Sequence, residues 1–351
     1  MEQTKRIEYI DALRGFSMIL VIYFHIPSYC LGNAYIGFND VLEWVRMPLF
    51  FFISGFVFYK ADRVWDRPTI KAILHKKFMV QIIPTAVFMT LFLYLFDYMD
   101  FSSLGSDKRG YWYTIVLFEY FVIYILAEAS LNWKNNSKGE LRVMMLVLFI
   151  SMLSFFYAKY YNRYSGELGN LKTILGFFSF VKLRHLVFFW FGTIIRKHFS
   201  TFIRLSDRGY IMLTLFLLYI AMTLFPAVHH TPGLEYPAYL LSGITITIIV
   251  FTLFRKNEHL LTKEKWFGRS LQYIGKRTLD IYLLHYFFLP YHQLQDFGTR
   301  LIQYDNKALE VVIILILTLC IIAISLAASS IIRLSPFLAH YLFGEKNKIT
   351  L

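Results

Sequence analysis

Residues 9–25 run Tyr9-Ile-Asp-Ala-Leu-Arg14-Gly-Phe-Ser-Met-Ile-Leu-Val-Ile-Tyr-Phe-His25, an apolar stretch broken by one arginine and closed by one histidine. Wound as a helix, it sets Arg14 and His25 roughly 20° past three full turns from one another. The two therefore share a face, about 16 Å apart along the axis. An arginine in such a place admits two readings: its charged end snorkels to lipid phosphate, or it serves a site, as intramembrane ionisable groups commonly do. For His25 the alternatives are a hydrogen-bonded bundle histidine and a catalytic base.

The remainder of the chain repeats the apolar pattern. Of 351 residues, 57% are hydrophobic and 17% charged, against about 25% charged in an ordinary soluble domain. This excludes a disordered chain and an ordinary soluble enzyme. Ten apolar stretches are readable, at about 12–31, 44–60, 78–97, 111–131, 141–158, 173–195, 209–226, 236–254, 274–290 and 308–332. Most match the roughly 20 residues that a helix needs to cross a bilayer; the second and ninth are short, hence tilted or buried within the bundle. The expectation is an all-α integral membrane protein. It is a bundle of about ten transmembrane helices in a single domain, 1–351, with no separate extracytoplasmic domain.

The net charge of +13 has a topological explanation. With the N-terminus inside, twenty-five Lys and Arg fall on the inner side and ten on the outer, with Arg14 within the first span. The positive-inside rule then puts both termini in the cytoplasm. The basic loops face anionic membrane lipids, and no nucleic-acid partner is needed. No small-residue cleavage site follows the first stretch, so it is expected to be retained. Cys30 and Cys320 make no disulfide framework and read as free thiols.

Other polar residues inside apolar stretches are candidates for chemistry. Glu119 lies mid-span in the fourth, where it either orients His25 or reads an acceptor hydroxyl, or makes a structural hydrogen bond. Lys182, Arg184 and His185 interrupt the outer half of the sixth, and either line an outward cavity for an anionic acceptor or mark the membrane boundary. Asp280 and His285 stand five apart in the ninth, too far round a helix to face one another. Ser54-Gly55 permits close helix approach. His229-His230 has no third ligand at a metal-like spacing and reads as a solvated turn. Gly275-Lys-Arg-Thr278 is like the end of a phosphate-binding loop, but Ser270 replaces the earlier glycine and Arg277 stands where Ser or Thr is required.

Five stretches in order carry a resemblance. They are Arg14 with His25 after ten intervening residues, Met47-Pro-Leu-Phe-Phe-Phe-Ile-Ser-Gly-Phe56, Gly110-Tyr-Trp-Tyr-Thr114, Phe188-Phe-Trp-Phe-Gly192, and Leu271-Gln-Tyr-Ile-Gly-Lys-Arg-Thr-Leu-Asp-Ile-Tyr-Leu-Leu-His285. Together they resemble the membrane-bound acyltransferase family 3 over essentially the whole chain. The resemblance implies an O-acyltransferase of a bacterial inner (cytoplasmic) membrane. It would move an acyl group, usually acetyl, from cytoplasmic acyl-CoA to a hydroxyl of a cell-surface glycan or its lipid-linked precursor. His25 is then the catalytic histidine and Arg14 a donor-side residue, with His285 in a family-like stretch. No metal or bound cofactor is implied. The family often places a basic residue, two spacers and an arginine before the proline of the third span. Here Lys76 and Lys77 are present but Val80 and Gln81 precede Pro84, which leaves the donor to Lys76, Lys77 and Arg14.

The geometry of Arg14 and His25 agrees with that donor, which has anionic phosphates at one end of a flexible arm and a thioester at the other. A neutral imidazole suits general-base work on a hydroxyl. The rival is a transporter or flippase for a lipid-linked sugar, which should display internal repeats or paired broken helices. Neither is visible in the sequence.

Overall fold

The computed structural model describes residues 7–33, 35–96, 108–131, 137–164, 174–225, 231 and 233–345. No strand occurs among them. The principal helices are α1 (Glu8–His25), α2 (Asn39–Phe58), α3 (Arg67–Lys77), α4 (Ile83–Phe96), α5 (Trp112–Leu131), α6 (Ser137–Tyr164), α7 (Leu186–Lys197), α8 (Phe199–Ser206), α9 (Gly209–Leu224), α10 (Glu235–Lys256), α11 (Trp266–Lys276), α12 (Thr278–Phe288), α13 (Gln295–Gln303), α14 (Lys307–Ile332) and α15 (Pro336–Phe343). His229 and His230 lie outside the described residues.

Among the described residues, seven segments are long and apolar enough to cross a membrane: Glu8–Cys30, Ile36–Phe58, Arg67–Phe96, Trp112–Ser130, Ser137–Tyr160, Glu235–Lys256 and Lys307–Ile332. The pair α8 and α9, bent by 82°, makes an eighth if taken as one span. The sixth and ninth apolar stretches are built from shorter pieces. In the ninth, α11 and α12 have 11 residues each and break at Arg277 (φ −110, ψ 19). Each is about 16 Å long, roughly half of a 30 Å hydrocarbon core. In the sixth, Ser179 takes a left-handed φ of 50° and a tight 3-10 turn, Phe180–His185, leads into the 12 residues of α7. The basic residues inside both stretches coincide with the interruptions. Large apolar side chains stand exposed along α9 and α14, among them Leu213, Leu217, Val312 and Ile316, as lipid-facing surfaces require. Ser17, Thr318 and Ser325 return their hydroxyls to carbonyls one turn back, at 2.9, 2.8 and 2.8 Å, which satisfies them within their own helices.

The chain forms two compact units. The first comprises Met1–Ile53 and His198–Ile331. Its centre is the crossing of α1 with α11, where a side chain on Gly15 would overlap the Leu271 carbonyl and one on Gly275 the Asp11 carbonyl. Only glycine allows backbones so close. Phe251 of α10 packs edge-on against Tyr9, Phe52 and Phe202 at 6.0, 5.2 and 5.6 Å.

The second unit comprises Ser54–Lys197 and Ile332–Leu351. Gly55 lets α2 approach α7 until a Cβ would meet the Phe189 carbonyl, and Phe58, Phe121, Tyr124 and Trp190 fill the space around it. Lys197 pairs with Glu140, and Arg333 with Glu345. Asp66 caps α3 by accepting the Thr69 N–H at 2.9 Å, an N-cap arrangement that satisfies an otherwise orphaned donor.

Candidate active site

His25 is the last residue of α1, and its position follows from the residues after it. Pro27 cannot donate to a helical ladder, and the backbone widens into a π-helical turn, Ile26–Cys30. Such wide turns are frequent at functional sites. The loop that follows is clamped. Tyr23 donates its hydroxyl to the Gly37 carbonyl at 2.8 Å, and the Gly37 N–H donates to Glu310 Oε2 at 2.8 Å. Gly37 holds a φ of 65°, and a Cβ there would lie 2.5 Å from Ile314 and 2.7 Å from the Tyr23 hydroxyl. Glu310 is buried, and Lys307 neutralises it at 3.0–3.1 Å. Asn39 adds a bond to the Phe24 carbonyl at 3.1 Å.

The buried imidazole of His25 meets that of His285, Nδ1 to Nε2, at 3.1 Å. The other nitrogen of His285, Nδ1, lies 3.0 Å from the Ile281 carbonyl and 2.8 Å from that of Tyr282. Carbonyls only accept, so His285 Nδ1 carries a proton. A neutral His285 then has a bare Nε2, which accepts from His25 Nδ1–H. His25 Nε2 is left as a lone-pair acceptor. Tyr29 and Tyr286 flank His25, with ring centroids at 5.3 and 5.5 Å. Arg46 lies with its guanidinium carbon 3.4 Å from the centre of the Phe24 ring, and its charge acts on His25.

Arg14, three turns before His25 on α1, donates from Nη2 to Thr278 Oγ1 at 3.2 Å. Hydrogen bonds of Arg14 with Thr278 and of His25 with His285 therefore join α1 to α12.

Of the residues singled out in the sequence, the structure brings together His25 and His285, and sets Arg14 on the same pair of helices. Glu119, Lys76, Lys77, Arg184 and His185 belong to the second unit. Glu119 Oε2 is buried and makes no hydrogen bond among the described residues; Lys108, held by Ser179 Oγ at 2.7 Å and the Gly176 carbonyl at 3.1 Å, is the cation that acts on it. Lys76 is exposed, and Lys77 caps the face of Phe121 at 4.1 Å. His185 stacks on Trp112 at 6.2 Å and 20°, with the Arg184 Nε 3.5 Å from its Nε2. Ser54 Oγ meets the Tyr113 hydroxyl at 3.0 Å.

Arg46 and Glu310 are additions that the sequence reading did not single out, and Arg277 entered it only as a mismatch to a phosphate-binding loop. Each is an ionisable residue in or beside an apolar stretch. Lys307 and Glu310 also stand three apart, the spacing of a helical ion pair. Those signals were present, without anything to indicate what each would touch.

A family model described as an acyltransferase domain matches residues 7–330. No curated protein and no solved structure matches the chain.

Proposed function

The chain belongs to the acyltransferase family whose model spans it, and from that premise we propose that it moves an acyl group, acetyl in the simplest case, from cytoplasmic acyl-CoA to a hydroxyl of a cell-surface glycan or its lipid-linked precursor. The observation that carries the mechanism is the histidine pair. With His285 anchored to two carbonyls and accepting from His25 Nδ1–H, Nε2 of His25 is the general base. It takes the acceptor proton as the hydroxyl oxygen attacks the thioester carbonyl carbon. The tetrahedral oxyanion collapses with cleavage of the carbon–sulfur bond, and the leaving thiolate recovers the proton from His25. His285, hydrogen-bonded to the far nitrogen, holds the ring in that orientation and steadies the imidazolium, as the buried partner of a catalytic histidine does elsewhere.

Arg14 lies about 16 Å along α1 from this base and takes the anionic end of the donor, with Lys76 and Lys77, at the end of α3, contributing to it. Arg184 and His185 serve the acceptor, and Glu119 a hydroxyl or the base itself. The family match runs across both compact units, which supports one functional domain. We place the chain in a bacterial inner membrane with both termini cytoplasmic and ten membrane-embedded segments, the sixth and ninth being broken ones.

The test is thiol release from a series of acyl-CoA thioesters by the purified protein in nanodiscs, with and without lipid-linked saccharide extract. Acetyl-CoA turnover that rises with extract, together with an acetyl mass increment on a saccharide, is the expected result. No release from any acyl-CoA would overturn the reading.

A further inference from the structure

Gly275-Lys-Arg-Thr278 lacks the glycine spacing of a nucleotide loop, yet it forms the break between α11 and α12, beside Arg14. Arg277 there is held on three sides. Its Nη1 donates to Ser329 Oγ at 3.3 Å and lies 3.7 Å from Asp280 Oδ2. Ser329 donates its own hydroxyl to the same carboxylate oxygen at 2.5 Å. The face of Tyr273 lies 5.5 Å from the guanidinium carbon. Asp280 and Ser329 are buried, so the support is rigid, whereas the Arg277 side chain keeps 24% of its surface exposed. Among the described residues, Nε and Nη2 of Arg277 make no hydrogen bond. A guanidinium carries five N–H donors in a planar fork, and a fork fixed along one edge offers the other to a phosphate, two bonds at once.

The neighbourhood favours an anion. Three cations meet there: Lys276 and Arg277 are consecutive in the break, and Arg14 reaches it through Thr278. Position matters as much as charge. Thr278, which Arg14 touches, precedes His285 by seven residues, about 10 Å along α12. Arg14 precedes His25 by about 16 Å along α1. Both guanidiniums thus occupy the same end of two helices whose other ends bring the histidines together.

We infer that Arg277 is a second binding residue for the phosphate-bearing end of the thioester donor, beside Arg14, with Asp280 and Ser329 as its positioning residues. The inference rests on the acyl-CoA reading above. The structural alternative is that Arg277 merely neutralises Asp280.

Two donors separate these cases: acetyl-CoA, and acetyl-pantetheine, which has the same thioester and arm but no phosphate. Steady-state turnover of both is measured for wild type, Arg277→Gln and Arg277→Lys in nanodiscs. Arg277→Gln leaves Asp280 buried without its cation, so the double variant R277Q/D280N is measured alongside and keeps the test available if the single variant fails to fold. Loss of charge-assisted bonds to phosphate should raise KM for acetyl-CoA about tenfold or more, with kcat nearly unchanged and kcat/KM for acetyl-pantetheine unaltered. Arg277→Lys should recover part of the loss. Equal losses for both donors would overturn the assignment and leave the acyltransferase reading standing. A wild type that turns over neither donor would overturn both.

Discussion

His285 gives its Nδ1 proton to the carbonyls of Ile281 and Tyr282 and turns a bare Nε2 toward His25, 3.1 Å from that ring's Nδ1. Two imidazoles from residues 260 apart in the chain thereby settle which nitrogen of His25 keeps a free lone pair. A buried histidine pair without such an anchor would have two equivalent tautomers to choose from.

Removing the anchor should therefore cost rate rather than donor affinity. His285→Ala is expected to lower kcat by about 10- to 100-fold, as loss of an orienting partner typically does, while KM for the acyl donor changes little. His285→Gln retains an acceptor oxygen and should keep more activity than the alanine. Equal activity of His285→Ala and wild type in a thiol-release assay would refute the orienting role of His285.

The clamp over the C-terminal end of α1 makes a separate prediction about stability. Glu310→Ala leaves the buried Gly37 N–H without its acceptor, a loss of about 1–3 kcal/mol. Gly37→Ala forces a Cβ into Ile314 and the Tyr23 hydroxyl at a φ of 65°, where left-handed backbone alone costs an L-residue roughly 1–2 kcal/mol. Both variants should melt earlier than wild type in detergent. A Gly37→Ala protein with unchanged melting would contradict the clamp.

At the crossing of α1 and α11 the opposing atoms are backbone, which cannot swing aside. Gly275→Ala should destabilise by at least the roughly 1–3 kcal/mol of an overpacked core, and should lower turnover as well, because separating these helices shifts Arg14. Normal melting together with normal donor KM would mean that the contact is looser than described.

Asp66, on the exposed turn before α3, gives a pH dependence with a definite sign. Hydrogen bonds from the Thr69 side chain and backbone hold its carboxyl below the usual range. A depressed folded value means that the cap contributes fully above the ordinary carboxylate pKa, and its contribution falls away as pH drops through the lowered value. Relative to the intrinsic exchange rate at each pH, the amides in the first turn of α3 should lose protection on acidification in wild type and be little protected at every pH in Asp66→Ala. Identical exchange in the two proteins at neutral pH would discard the cap.

How much of this could be read beforehand depended on range along the chain. Arg14 and His25 lie within one helix, so helical spacing alone set them on one face, and the apolar stretches marked the spanning helices. The partnership of His25 with His285 was not legible, since no local rule connects residues 260 positions apart. The ninth stretch looked continuous because its apolar residues outnumber Lys276, Arg277, Asp280 and His285, although Gly275 must press against Asp11 and the helix breaks two residues later at Arg277. The sixth stretch announced its break more openly, with Lys182, Arg184 and His185 in the turn that precedes α7. Glu310 was hidden by the long apolar run that follows it, so that a buried anchor passed for the edge of a span.

The most direct measurement is to follow donor binding and acetyl transfer separately in one nanodisc preparation, for wild type and His25→Ala. Isotope-labelled acetyl-CoA reports both, by equilibrium retention and by label reaching the acceptor or water. The account predicts that His25→Ala binds acetyl-CoA like wild type and loses transfer by about 100-fold or more, the usual contribution of a general base. If His25→Ala binds and transfers at the wild-type rate, the histidine pair is not the catalytic centre.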